Sequence, residues 1–303
     1  PIFASFEGAT GIRVDPVFDA EAAKTTGLYQ RLLAERDRPR ADVFWNSEVA
    51  RTDLLARAGV LLPHAPANAG GIPAALRAPA WTGFAARARV IIFNTARVPP
   101  GERPRSIRDL ADPRFRGEAA IAEPLFGTTA THAGALRVKL GPAGMEEYFR
   151  ALAANAVKVV GGNSVVRDRV ASGEVKIGLT DTDDAAVALR KGLPVGIVFP
   201  DQEAVYPGQQ RPLGTLVIPN TVGLIAGGPH ADTGRRFVEY LLRPETEAAL
   251  ARGESAQIPL RPGVPGPNGL EVPEDLKVMA VAWDEVARAI EESVPFLRAF
   301  VVQ

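Results

Sequence analysis

Five consecutive side chains that can coordinate or hydrogen-bond, Thr180, Asp181, Thr182, Asp183 and Asp184, follow a β-branched strand over 175–179. They precede a helical run over 185–191 that Gly192 closes. Three carboxylates and two hydroxyls therefore sit where a strand ends and a helix begins, the position at which open α/β sheets bind ligands. Capping and the helix dipole account for one or two of the five. A second junction of this kind is Trp45-Asn46-Ser47-Glu48. The third and fourth, Gly127-Thr128-Thr129 and Gly162-Asn163-Ser164, place hydroxyls or an amide just after glycine. That composition suits an oxyanion as well as an ordinary N-cap. Glu48 with Asp181 and Asp183 suits acid–base work, a hard metal cation, or an ammonium or guanidinium group.

Catalytic arrangements are weak in the sequence. There is no Gly-x-Ser-x-Gly, no Walker loop and no His-Glu-x-x-His. The three histidines, His64, His132 and His230, are scattered, and His132 falls within a helical run as a structural residue.

The elements that must position these residues alternate. The pattern predicts a strand over 11–18, a polar turn over 21–26, a helix over 27–36, a strand over 41–45 and a helix over 48–58. A long extended run over 81–95 follows a Pro- and Ala-rich stretch over 61–80. Strands over 117–122, 157–160, 175–179 and 195–199 then alternate with helices. One of these helices is stopped by Gly141-Pro142, and another is capped by Gly173. A second extended run over 213–226 leads to helices over 234–242 and 245–252, and a helical C-terminus over 273–302 is interrupted by Pro295. Strand–helix alternation of this kind marks a parallel sheet flanked by helices. Two long extended runs far apart in sequence suggest a chain that crosses between two lobes and returns, with a ligand held between them.

Composition agrees with a globular protein. The 303 residues are 46% hydrophobic and 23% charged, with a formal net charge of zero. Nothing in the charge pattern argues for nucleic acid or a membrane surface. Cysteine is absent, which removes disulfides, thiol catalysis and cysteine-based zinc sites. The opening, Pro1 to Gly8, reads as the last two turns of a helix with Phe3 and Phe6 at helical spacing and Gly8 as terminator. We therefore expect the natural product to carry residues ahead of Pro1.

Taken together, these pieces resemble the periplasmic solute-binding proteins of ABC importers, in the two-lobed class that includes ferric-ion-binding proteins. The resemblance rests on Glu21-Ala-Ala-Lys-Thr-Thr26, Ala41-Asp-Val-Phe-Trp45 with Glu48, Arg87-Ala-Arg-Val90, and Asp109-Leu-Ala-Asp-Pro113 with Gly117. It also uses Gly127-Thr-Thr129, Asn163-Ser164, Gly173-Glu-Val175 and Ile218-Pro-Asn-Thr221. Order and spacing carry it, over nearly the whole chain. It implies a type II two-lobed α/β fold, each lobe a mainly parallel sheet flanked by helices. The first lobe would span 1–92 and 221–270, the second 93–220 and 271–303.

The resemblance further implies a periplasmic or extracellular monomer that closes about its hinge on a solute and docks on an inner-membrane permease. The cargo would be a metal cation, Fe³⁺ first, with a synergistic anion and no resident cofactor. A small organic zwitterion or cation, such as an aminophosphonate or amino acid, is the alternative. A cleft enzyme using Glu48 and Asp183 as acid and base is the rival class. By resemblance the ligand-binding residues are Trp45, Asn46, Glu48, Arg89, Thr128, Thr129, Asn163, Ser164, Thr182 and Asp183, with Glu48, Asp181 and Asp183 as metal ligands. Ferric-binding members use two adjacent tyrosines. Thr182 and Asp183 stand in that place here, and of the four tyrosines only Tyr206 is a candidate substitute.

Overall fold

A computed structural model describes residues 1–19, 26–203 and 205–302. Helix α1 (Ile2–Thr10) seats Phe6 edge-on against Phe237 and Tyr240, with ring centroids 4.9 and 5.2 Å apart. It ends at Gly11, whose φ of 69° permits the left-handed cap, and not at the expected Gly8, which lies inside the helix. The strand expected over 11–18 does not form. Ile12 and Val14 alternate as strand residues do and pack against the core, but side chains satisfy their amides. Ile12 N donates to Thr10 Oγ1 and Val14 N to Glu7 Oε1, so no ladder is needed. The polar turn expected over 21–26, with its Glu21-to-Thr26 motif, lies outside the described residues apart from the Thr26 backbone, which opens the next helix.

The chain continues through α2 (Thr26–Ala34), β1 (Val43–Asn46), α3 (Ala50–Arg57), β2 (Leu61–Leu62), β3 (Arg77–Ala78) and β4 (Trp81–Asn94). Next come β5 (Ala119–Ala122), α4 (Gly127–Ala154), β6 (Lys158–Val160), α5 (Asn163–Ala171), β7 (Ile177–Asp181), α6 (Thr182–Arg190) and β8 (Val195–Val198). The last elements are β9 (Val217–Ile225), α7 (Ala231–Leu241), α8 (Pro244–Arg252) and α9 (Trp283–Val302). Gly141, with φ 74°, breaks α4 at the Gly-Pro stop read from the sequence, and helical turns resume beyond it. Residues 273–282 are not helical, so the C-terminal helix starts about ten residues later than expected.

Two compact units result. The first comprises Pro1–Ala86, Pro219–Gly253 and Gln257–Pro267, and the second Arg87–Ile218, Glu254–Ala256 and Asn268–Gln303. In the first unit β1 and β2 pair antiparallel with β9, and β3 pairs antiparallel with β4. The parallel sheet expected of each lobe is therefore corrected here: its described ladders are hairpin-like or long-range antiparallel. Its core gathers Phe6, Ile72, Phe84, Val222, Leu224 and Leu241.

In the second unit β5 runs parallel to both β6 and β7, while β4 pairs antiparallel with β7 and β8. All residues of β5 and β7 are buried, so their near-continuous apolar character follows from helices covering the sheet. Gly178 in β7 lets α5 press onto the sheet. A Cβ there would come within 2.4 Å of Val166 Cγ1 and 3.2 Å of the Ala120 carbonyl. The start of α5, and with it Asn163, is set by that close approach.

Candidate functional site

Within the second unit, the ends of β5, β6 and β7 lead into the first turns of α4, α5 and α6. Arg89, on β4, is fully buried beneath them. Its Nη1 donates to Asp181 Oδ1 at 2.6 Å, to Thr128 Oγ1 at 3.1 Å and to Asn163 Oδ1 at 3.1 Å, and its Nη2 donates to Thr129 Oγ1 at 3.3 Å. Asp181 Oδ2 accepts from Thr128 Oγ1 at 2.6 Å and from Asn163 Nδ2 at 2.9 Å. One guanidinium and one carboxylate thus tie three helix starts together. Thr182 is also sealed, its Oγ1 accepting from Ala88 N at 3.1 Å. Five residues read as ligand contacts or metal ligands, Arg89, Thr128, Thr129, Asp181 and Thr182, form the floor of this group.

Above that floor lie partly exposed groups. Asp183 meets Arg87 Nη1 at 3.2 Å, and Asp184 meets Arg167 Nη1 at 3.7 Å. Asn163 and Ser164 are half-buried at the start of α5, and Val165, next in sequence, is exposed. Single oxygens of Asp181, Asp183 and Asp184 lie within 4.8 Å of one another. Crowding of this kind is tolerable because each acid has an arginine. Burial raises the Asp183 carboxyl above its ordinary 3.8, against the opposing pull of Arg87 and of the Asp183 and Asp184 amides at the helix start. Arg167 was missed by sequence reading. It stands one turn after Asn163, a spacing that puts both on one face of α5.

His132 lies one turn into α4, buried, with neither ring nitrogen hydrogen-bonded. Burial first, and Arg89 second, push it down to about 3, so it stays neutral. It lines a small apolar cavity with Ile121, Leu136, Phe149 and Leu152, in keeping with its reading as a structural residue.

In the first unit, Trp45, Asn46 and Glu48 are placed as packing and capping groups. Trp45 packs edge-on against Phe3 and at a tilt against Phe84, at 5.9 and 5.4 Å between centroids. Asn46 Nδ2 donates to the Glu48 carbonyl at 2.7 Å. Glu48 is buried, and its Oε2 accepts from Ala50 N at 2.8 Å while Oε1 accepts from Arg51 N at 2.9 Å. The carboxylate read as a metal ligand or acid–base group therefore takes up the orphan amides of α3. Thr52 Oγ1 and Thr221 Oγ1, 2.7 Å apart, close this polar knot.

All four tyrosines are buried. Tyr206 OH donates to Asp201 Oδ1 at 2.9 Å, Tyr240 OH to Ser5 Oγ at 2.6 Å and Tyr148 OH to the Ile107 carbonyl at 3.4 Å. Arg51 lies over the Tyr29 ring, 5.0 Å from its centroid. Tyr206 is thus engaged with Asp201 and Ser106.

Helix starts rich in hydroxyl and amide groups are thus set on an α/β frame of two units. The chain belongs to the bacterial extracellular solute-binding protein family, whose profile matches residues 41–288. It is 27% identical over 278 residues to iron uptake protein A1 of Synechocystis, covering 87% of this chain and 73% of that protein. The major ferric iron-binding protein of Neisseria meningitidis serogroup B is 26% identical over 273 residues, covering 88% and 78%. Among solved structures, a ferric binding protein from Campylobacter jejuni superposes with a TM-score of 0.86 at 22% identity, over 99% of this chain and 94% of that one. The resemblance read from the sequence and the two-lobed α/β fold are both borne out. No helix of the described residues is long and apolar enough to cross a membrane.

Proposed function

We propose that this chain is the periplasmic solute-binding component of an ABC importer, that it captures ferric iron, and that it hands this cargo to a permease in the inner membrane. Membership of a solute-binding family supports binding over turnover. The observation that carries the iron reading is that relatives aligned over 87% and 88% of the chain are an iron uptake protein and a ferric iron-binding protein. Residue chemistry fits a hard cargo. Asn163, Ser164, Asp183 and Asp184 offer oxygen and nitrogen groups, and the chain has no sulfur ligand from cysteine. The iron would be substrate in transit, not a resident cofactor.

A second reading is favoured by the burial of all four tyrosines. It assigns the same transport role to a small organic solute with an anionic group. Calorimetric titration of the iron-free protein with ferric citrate, and separately with 2-aminoethylphosphonate, tests the two. Heat and thermal stabilisation with the ferric complex at micromolar concentration support iron capture. Saturation by the phosphonate with no response to any ferric probe would replace it.

A further inference from the structure

Asn268 and Gly269 are the one Asn-Gly pair in the sequence. They form an exposed turn between Pro267 and Leu270, which are both buried. Gly269 has φ 75°, the left-handed conformation that suits glycine in such turns. A Cβ added to it would meet only Arg190 Cγ, at 3.4 Å, so the glycine backbone is open. Among the described residues, no hydrogen-bond partner holds the Asn268 side chain or the Gly269 N–H. The other six asparagines are held and screened. Asn46, Asn68, Asn94 and Asn155 donate from Nδ2 to backbone carbonyls, Asn163 donates to Asp181, and Asn220 donates to Gln257. Each of the six is followed by alanine, serine or threonine, whose Cβ crowds the next amide nitrogen.

A side-chain amide is an electrophile lying one residue from a backbone nucleophile, and only local freedom is needed to bring them together. We propose that Asn268 is a site of spontaneous covalent modification, in which the Gly269 amide nitrogen attacks Asn268 Cγ. The new N–Cγ bond closes a succinimide ring, the Cγ–Nδ2 bond breaks, and the Gly269 proton leaves with the departing nitrogen as ammonia. One water then opens the ring. Opening at Cγ leaves an ordinary aspartate, and opening at the main-chain carbonyl leaves an isoaspartate whose chain continues through Cβ and Cγ. No oxidant or reductant enters. Both products carry a carboxylate where a neutral amide stood, and the isoaspartate also lengthens the main chain by one methylene. That insertion falls where the chain makes its last passage between units, since Pro267 ends the first unit and Asn268 begins the final stretch of the second. The modification is independent of the cargo.

The full chain is incubated in mildly alkaline buffer at physiological temperature, folded and, in parallel, unfolded in urea. Peptides are then weighed, and isoaspartate is detected by labelling with protein-isoaspartate methyltransferase. In the folded chain, the peptide containing Asn268 should gain the mass of an amide-to-acid exchange about tenfold or more faster than any peptide carrying another asparagine. It should also take up the methyl label. Asn268→Gln should lose that label and melt as wild type does. First conversion at another asparagine, or label persisting in Asn268→Gln, would overturn the proposal. So would an Asn268 that stays intact in the folded chain while the unfolded chain converts, because the turn would then protect it.

Discussion

Arg89 Nη1 and Asp181 Oδ1 lie 2.6 Å apart, and neither side chain reaches solvent to any useful degree. Two residues whose types suggest ligand contact are instead the internal brace on which the surrounding helix starts are hung.

Removing one partner of a buried pair leaves an uncompensated charge. Arg89→Met should therefore lower stability by about 3–5 kcal/mol. The double variant Arg89→Met/Asp181→Leu should recover much of that loss, because both charges leave together. Denaturant midpoints of the single and double variants check this.

Glu48 accepts from two amides at the start of α3. Glu48→Ala should cost about 1–3 kcal/mol in the absence of any ligand, since the amides lose their acceptors in a buried setting. Glu48→Gln should cost less, one amide keeping an acceptor. Unchanged apo stability in Glu48→Ala, measured by thermal unfolding, would mean that the carboxylate is not the helix anchor.

Asp201 supplies a pH signature. Burial pushes its carboxyl up to about 6, from an ordinary 3.8, even though Ser106 and Tyr206 donate to it. A carboxyl whose folded value is raised contributes stability below its ordinary value and loses that contribution as pH rises through about 6. Between pH ~4 and pH ~7, wild type should lose on the order of 2–3 kcal/mol relative to Asp201→Asn. Paired melting curves across that range give the difference directly, with the remaining carboxylates cancelling.

Iron-loaded protein should lack the visible phenolate-to-iron charge-transfer band, because all four tyrosines are buried and each is engaged within its own unit. An absorption spectrum of the ferric complex is sufficient, and a tyrosinate band would require one of these side chains to leave its place.

Gly178→Ala should cost about 1–3 kcal/mol and weaken solute binding together, since the added Cβ meets Val166 Cγ1 at 2.4 Å and must push α5 off the sheet. A binding loss without a stability loss would count against that coupling.

Much of the fold was legible in the sequence because it is written locally. Strand β5 is a short apolar run, β7 is apolar up to Leu179, and β4 and the second extended run are rich in apolar and β-branched residues over most of their length. Residues 11–18 misled because Ile12 and Val14 have strand-like alternation while Glu7 and Thr10 satisfy their amides from a neighbouring helix. The junctions at 128–129, 163–164 and 181–184 were legible as polar helix starts. Which of their side chains face outward was not, because that depends on pairings such as Arg89 with Asp181, 92 residues apart in sequence. A carboxylate beside a helix start reads the same whether it meets an arginine, as Asp183 meets Arg87, or caps its own helix, as Glu48 does.

The division of the chain into interleaved segments also bears on its biosynthesis. Each unit is stitched from three stretches, and Arg87–Ile218 of the second unit emerges from the ribosome before Pro219–Gly253 of the first. The first unit must hold its N-terminal stretch, Pro1–Ala86, with its apolar surfaces uncovered while about 130 residues of the other are synthesised, which takes roughly 7–26 seconds at ordinary elongation rates. Pro1–Ala86 thus waits for Pro219–Gly253 until all of Arg87–Ile218 has been made.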